Sequence, residues 1–539
     1  MLKRCLVLAA FLSACCLPLR AAEHVAYYVD SENGSDDASG TSPELAWQSL
    51  EKVNRVDLKP GDAVRFARGG LWRGSLKPKS GSADNPIFYT SYGDNDKPKP
   101  RIYGSLPLNK PTDWRQIEPQ LWRTVEPVGE PTPSPWLADI GNLILDGKKA
   151  AIKRWSKEQL KANDDFWFEL ETRYVWLVSE KNPAEKYAEI EAAQRRHHVV
   201  DLSGVHHAHI FGFDVRYGAA HGFGGSGNSN ITICSCDVSW IGGGHQFTRP
   251  DGLPVRFGNG IEFWANGHDH WVVGCRLWEI YDAALTNQGD GSNVQRNITY
   301  CNNIVWNCEY SFEYWNRDET SVTDMITFQN NTCLNAGRGW GHTQRPDPNG
   351  RHLMFYETTA KTTNFVITDN VFANATESIL RVDSRRGQEQ SAELSNTAQQ
   401  KGELAVAWAR ELKMDNNVWF QPPGDGRTLV LWQSKKSMTS ANISKKPALT
   451  KTLCFNATRN KARKKINGAS GFPPVPFLFL WPLVTFRYAR NQRDRAKTLL
   501  RLAVVFVDFG FRVLGDPVFT LAGLVDHPIK QRRGQEDRA

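Results

Sequence analysis

Two glutamates sit in phrases of the same form, NGIEFWAN (Asn259 to Asn266) and YSFEYWN (Tyr310 to Asn316). In each, apolar and polar residues alternate at period two, the pattern of a strand with one buried face. Aligning IEFW with FEYW puts Glu262 and Glu313 in one outward column, with Ala284 of the phrase DAALTNQ (Asp282 to Gln288) between them. Trp264 and Trp315 share a second outward column. Strands two rungs apart in a stack have backbones about 10 Å apart. Side-chain lean can bring two carboxyls into the roughly 6.5–9.5 Å range of glycosidic hydrolysis with inversion. One carboxyl would need a raised pKa to act as acid, while the other activates water. A small Ala284 leaves room for sugar or water, and Asp282 at the adjacent corner is a third carboxylate. The plainer alternative is a pair of solvated glutamates balancing Arg317 or Arg381. A Glu flanked by aromatics, twice in one column, favours chemistry.

Other residues could line the same groove. The loops GAAHGFGGSG (Gly218 to Gly227) and GGGHQFTRPDG (Gly242 to Gly252) carry His221 and His245. Neither loop continues into Lys-Ser/Thr, so they are not phosphate cradles, and as rims they would place His221 or His245 on a substrate. The long loop GWGHTQRPDPNGRH (Gly339 to His352) offers Trp340, His342 and Arg345 as a clamp. Two further strand phrases, LMFYETT and ILRVDS, add Glu357 and Arg381. His206, His207, His209, His268 and His270 cluster near rung starts without HExxH spacing, and no metal site is expected.

A recurring phrase between Ile210 and Trp419 must position these side chains: NITICSCDVSW, HWVVGCRLWEI, NITYCNNIVWN, MITFQNNTCLN, NFVITDNVFAN and ELKMDNNVWF. Aligned on its centre, the phrase puts Phe213, Cys236, Cys275, Asn303, Asn331, Asn370 and Asn417 in one column, at spacings of 23, 39, 28, 28, 39 and 47 residues. A repeat of this size with elastic spacing is one rung of a solenoid, extra residues bulging as loops. An inward Asn at the corner between strands tolerates left-handed backbone and bonds neighbouring main chain. Stacked Asn residues about 4.8 Å apart also bond one another. Asn230 and Asn297, which begin N-x-T triplets, read as turn chemistry at rung starts. Cys236 and Cys275 are inward neighbours that could reach disulfide geometry, though buried thiols packing as small hydrophobes are the simpler reading.

The 539 residues divide by pattern. Residues 1–22 read as an export signal, with Lys3 and Arg4 before the apolar run CLVLAAFLSA, too short to span a membrane. Leu12-Ser13-Ala14-Cys15 resembles a lipobox that would leave Cys15 lipidated, while Arg20-Ala21-Ala22 offers a site for release; either way the mature chain is secreted or periplasmic. Residues 23–111 form an N-terminal cap and first rungs, including a strand at YYVD and a helix expected over Leu45 to Asn54. Residues 112–197 read as a β-rich insertion containing a Glu-rich, helix-like patch. Rungs resume over 198–435, and 436–539 is a basic tail without the pattern. From Ala441 to Ala539 there are 19 Lys/Arg and 6 Asp/Glu, a charge of +13 against +8 for the whole chain, which leaves −5 for residues 1–440. The body therefore lacks the basic footprint of a nucleic-acid binder.

The Asn column with Ile, Val and Phe on both sides resembles the asparagine ladder of right-handed parallel β-helices. Together with YYVD, the W-Q-S-L phrase and the PGD turn, which resemble a solenoid cap, it identifies a resemblance over roughly residues 25–435. That resemblance is to the pectate-lyase-like right-handed parallel β-helix superfamily of secreted polysaccharide lyases and glycoside hydrolases. It implies a polysaccharide substrate and a monomer. A hydrolase would need no cofactor; a lyase would use a Lys or Arg base, for which Arg345 or Arg381 could serve, and often Ca2+. No lyase motif carries over residue by residue, so the Glu262/Glu313 column favours hydrolysis. A non-catalytic glycan-binding β-helix is the third reading, because fold alone does not fix the reaction.

Overall fold

The computed structural model describes residues 24–132, 138–194, 198–356, 358–383, 408–422, 428–432 and 436–438. The expected signal segment with Cys15, nearly all of the basic tail, and Glu357 lie outside the described residues. All described residues fall within one compact unit, Met1–Asn456. Among them, no helix is long and apolar enough to cross a membrane.

The chain coils as a right-handed parallel β-helix, the hand that parallel crossovers take. Among the described residues it stacks three long sheets, of nine, eleven and nine strands. Sheet 1 runs through His198–Asp201, His221–Ser226, Ile261–Trp264, Ala283–Gly289, Tyr310–Asn316, Arg351–Tyr356, Ser378–Asp383 and Thr428–Trp432, and these strands pair in parallel. Sheet 2 contains Ser229–Cys234, His268–Val273 and Val294–Cys301, and sheet 3 contains Asp237–Ile241, Arg276–Ile280 and Ile304–Trp306. A rung passes from sheet 2 through a tight corner to sheet 3, then through a second corner to sheet 1. Inward columns such as Phe223, Ile261, Leu285, Phe312, Leu353 and Leu380 fill the bore and are fully buried. Their alignment fixes the register of every outward residue, because a slip of one would turn that whole set to solvent.

The corner between sheets 2 and 3 carries the expected column. The register there stacks Phe213, Cys236, Cys275, Asn303, Asn331, Asn370 and Asn417. Each ladder amide bonds its neighbours: Asn303 Nδ2 donates to Asn331 Oδ1 at 3.0 Å, and Asn331 Nδ2 to Asn370 Oδ1 at 3.1 Å. The same amides also reach the preceding strands, Asn331 Nδ2 donating to the Tyr300 carbonyl at 3.0 Å. The left-handed backbone expected of these inward residues falls instead on the residue before each of them. Gly212, Ser235, Gly274, Asn302, Asn330, Asp369 and Asn416 all have φ between 54° and 73°. In an Asn-Asn pair the first residue therefore makes the bend and the second makes the ladder. Asn230 and Asn297 also sit at positive φ, 55° and 52°, as turn chemistry at rung starts requires.

The cap differs from expectation in one place. Instead of one helix over Leu45 to Asn54, a 3-10 turn at Pro43–Leu45 is followed by an α-helix at Leu50–Arg55. Between them Trp47 is extended and pairs with the first strand, its N–H donating to the Tyr28 carbonyl at 2.8 Å. The helix starts only after Ser49, whose hydroxyl accepts from Lys52 N–H at 3.1 Å.

The excursion before His198 leaves through Ser105–Pro107 and returns through Ile190–Gln194, and these two strands pair antiparallel, Ser105 opposite Ala193. It holds two small sheets over its own core, with Leu143, Phe166, Leu177 and Ile190 buried. The Glu-rich patch read as helix-like is helical only over Pro183–Lys186 and then becomes the return strand, because Ile190–Gln194 must pair with Ile140–Leu145. A bidentate ion pair from Arg73 to Glu191, at 2.6 and 2.7 Å, ties this neck to the coil.

Candidate active site

The outer face of sheet 1 gathers the sequence-predicted carboxylates. Register pairs Glu262 with Thr286 and Thr286 with Glu313, so the two glutamates do share one outward column two strands apart. The residue between them is Thr286, not Ala284. The inward column Ile261–Leu285–Phe312 sets this register and moves Ala284 two places toward the corner. Trp264, Gln288 and Trp315 form the neighbouring outward column, and the two indoles meet edge to face across Gln288, with centroids 5.3 Å apart.

Glu262 is buried against two imidazoles. Its Oε1 lies 3.9 Å from His198 Nε2 and its Oε2 3.8 Å from His221 Nδ1, while Asn259 Nδ2 donates to Oε2 at 2.5 Å. Burial alone would raise its pKa, but His221, His198 and Asn259 outweigh burial and hold it at about 2. Glu262 is thus a fixed carboxylate. Glu313, equally buried, accepts from Gln288 Nε2 at 2.5 Å. Between them Thr286 Oγ1 is buried without a hydrogen-bond partner among the described residues, which marks a place for a water or a substrate oxygen.

A second acidic node lies at the corner. Asp282 and Glu309 occupy adjacent rungs, since Tyr310 N–H donates to the Asp282 carbonyl at 3.1 Å. Arg345 spans them, its Nη1 2.7 Å from Asp282 Oδ1 and its Nε 4.0 Å from Glu309 Oε1. Glu309 also meets His342 Nδ1 at 2.9 Å and accepts from Asn349 N–H at 2.7 Å. Burial pushes the Glu309 pKa up, but His342 and Arg345 outweigh it and leave it below the ordinary value. For Arg345 burial favours the neutral form, yet Asp282, Tyr310 and Glu309 hold it well above its usual range. Glu309 escaped the sequence reading although the alignment that finds Asp282 also finds it: the correct register sets DAALT against EYSFE. His198 and Asn259 were missed because their closeness to Glu262 depends on which strands stack.

The remaining predicted residues are dispersed. Trp340 is buried on Tyr281, with its N–H and its indole N–H both donating to Glu279 at 2.9 Å. His245 Nε2 meets Thr248 Oγ1 at 3.0 Å, and its backbone N–H donates to Asp139 of the excursion at 2.8 Å. Arg381 stands in the Glu313 column beyond Met354. Arg345 also lines a cleft of about 590 Å³ between excursion and coil, opposite Lys153, Trp155 and Arg256.

No family model matches the chain. Over 81 residues it is 43% identical to a lacto-N-biosidase of Bifidobacterium longum subsp. longum, covering 14% of this chain and 5% of that protein. The chain thus matches only a small part of that relative's length. Among solved structures, a glycoside hydrolase aligns with 10% identity over 76% of this chain and 94% of its own, at a TM-score of 0.42. A GH136 lacto-N-biosidase from Eubacterium ramulus aligns with 13% identity over 77% and 66%, at a TM-score of 0.34. The chain's own strand pairing is that of a parallel β-helix.

Proposed function

We propose that the chain is a glycan-cleaving enzyme, acting by hydrolysis on the outer face of sheet 1 with Glu262 and Glu313 as its carboxylate pair. The observation that carries the reading is their shared outward column, two strands apart, with Trp264 and Trp315 alongside. Glu262, held ionised, suits the group that activates water; Glu313 is then the proton donor to the leaving oxygen. Thr286 sits where a sugar hydroxyl or that water would bind, and Asp282 and Arg345 flank the site at the corner. The local similarity to a protein named as a lacto-N-biosidase agrees with glycan cleavage. The competing elimination reaction would use a Lys or Arg base in its neutral form, and Arg345 is held charged by its two carboxylates.

A screen of neutral and uronate glycans tests this by two readouts. New reducing ends without the ultraviolet absorbance of an unsaturated uronate support hydrolysis. That absorbance would select a lyase, and binding without turnover would leave only a glycan-binding module. Turnover surviving in Glu262→Gln plus Glu313→Gln would remove the proposed pair.

A further inference from the structure

We propose that His198, His221 and Glu262 form a binding site for one divalent transition metal, Zn2+ by preference. The three residues lie on three consecutive strands of sheet 1, each more than nine-tenths buried. One ligand atom from each lies within 4.8 Å of the others, and the closest nitrogen–oxygen separations are 3.8 and 3.9 Å. Ligands about 2.0–2.1 Å from one tetrahedral ion are roughly 3.4 Å apart, so each imidazole must close by a few tenths of an ångström on the Glu262 oxygen it faces, Oε1 for His198 and Oε2 for His221, and the widest edge of the triad, up to 4.8 Å, by more. Two imidazoles and one carboxylate are also the donor set that leaves a zinc site with one open position.

The surroundings resemble an outer shell around such a site. Asp201 Oδ1 stands 3.7 Å from His198 Nδ1, behind the nitrogen that faces Glu262, the order carboxylate–histidine–metal. Asn259 Nδ2 fixes one oxygen of Glu262. Gly224 lies directly between Asp201 and Glu262 in the outward column. A Cβ there would come within 2.8 Å of His198 Cδ2 and Nε2, so only glycine lets this imidazole lean across to Glu262. His221 Nδ1 accepts a 3.1 Å hydrogen bond from Asn259 N–H, a contact an arriving ion must displace. Next along the column, the buried Thr286 Oγ1 lacks a protein partner among the described residues, which suits a bound water or substrate oxygen beside the open position.

This assignment does not rest on the hydrolase reading. It is tested on the full chain, stripped with chelator and titrated with Zn2+ or Co2+, with no substrate present. The expected result is one tightly held equivalent of Zn2+ and a Co2+ visible spectrum of four- or five-coordinate type. The zinc X-ray absorption edge of the wild-type chain should fit two imidazoles and a carboxylate, a readout that needs no variant. His198→Gln and His221→Gln should each weaken binding by at least ~100-fold, beyond the 10–100-fold typical of outer-shell losses. Gly224→Ala, whose Cβ would meet both the His198 ring and the Glu262 carbonyl at 2.8 Å, should weaken it as well. Absence of stoichiometric uptake, an absorption edge without imidazole, or uptake unchanged in the double His variant overturns the site. An occupied site takes Glu262 as a ligand, so the role of Glu262 as base is tested separately, by glycan turnover of the chelated chain.

Discussion

The asparagine ladder and the Glu262 column are made by the same device, polar residues stacked rung on rung, yet they end in opposite states. In the ladder, identical amides repeat at the strand spacing, so each donor finds the acceptor above or the carbonyl beside it. Such a stack is satisfied and inert. In the Glu262 column the residues differ from rung to rung: Gly224, Glu262, Thr286, Glu313, Met354 and Arg381. Unlike neighbours do not bond one another along the column, so its carboxylates take partners from other columns and the Thr286 hydroxyl is left bare among the described residues. Repetition yields stability, and broken repetition yields the candidate site.

Four measurements would break or sharpen that contrast. The largest effect is expected from Glu262→Gln, which should lower kcat per folded molecule on a cleaved glycan by ~10²–10⁴-fold, the range of a lost general base. Equal turnover in the variant would reduce the column to structure. Asn331→Leu should do the reverse. It orphans the Asn303 N–H and the Tyr300 carbonyl, costs about 2–4 kcal/mol by thermal or denaturant unfolding, and leaves turnover per folded molecule intact. The third is a pH dependence. Glu262 is depressed to about 2 from an ordinary value of 4.5, so its contribution is complete above about 4.5 and fades as the pH falls toward 2. Wild type should accordingly lose a few kcal/mol of stability relative to Glu262→Gln between pH 5 and pH 2, with the sign fixed by the depressed folded-state pKa. A gap that does not change over that window would show that the imidazoles and Asn259 do not hold the charge. The smallest effect separates the two halves of an Asn-Asn pair: Asn330→Ala, at φ 55°, should cost about 1 kcal/mol, while Asn330→Gly should fall within a few tenths.

The coil was legible from the sequence because its rules are local: period two, an Asn at each corner, and apolar residues on either side. The Glu262 and Glu313 column and the Trp264 and Trp315 column followed from the same alternation. Ala284 was misplaced because DAALTNQ offers adjacent small and apolar residues, and only the inward stacking of Leu285 on Ile261 and Phe312 decides between registers. The left-handed residue was assigned one place late, since either member of an Asn-Asn pair tolerates that backbone. His198 and Asn259 became partners of Glu262 only through which strands stack and how the side chains lean, and neither is written in spacing.

The neck at Ser105 and Ala193 is a single point of departure and return. Because the excursion departs and re-enters through one antiparallel pair, the coil resumes beside the rung it left, Ile102 lying opposite Val215. Lineages could therefore exchange this cassette like a tool head, re-cutting the cleft wall at Lys153 and Trp155 while the carboxylates stay in place. The cleft wall and the carboxylate column would then evolve as separable parts of one chain.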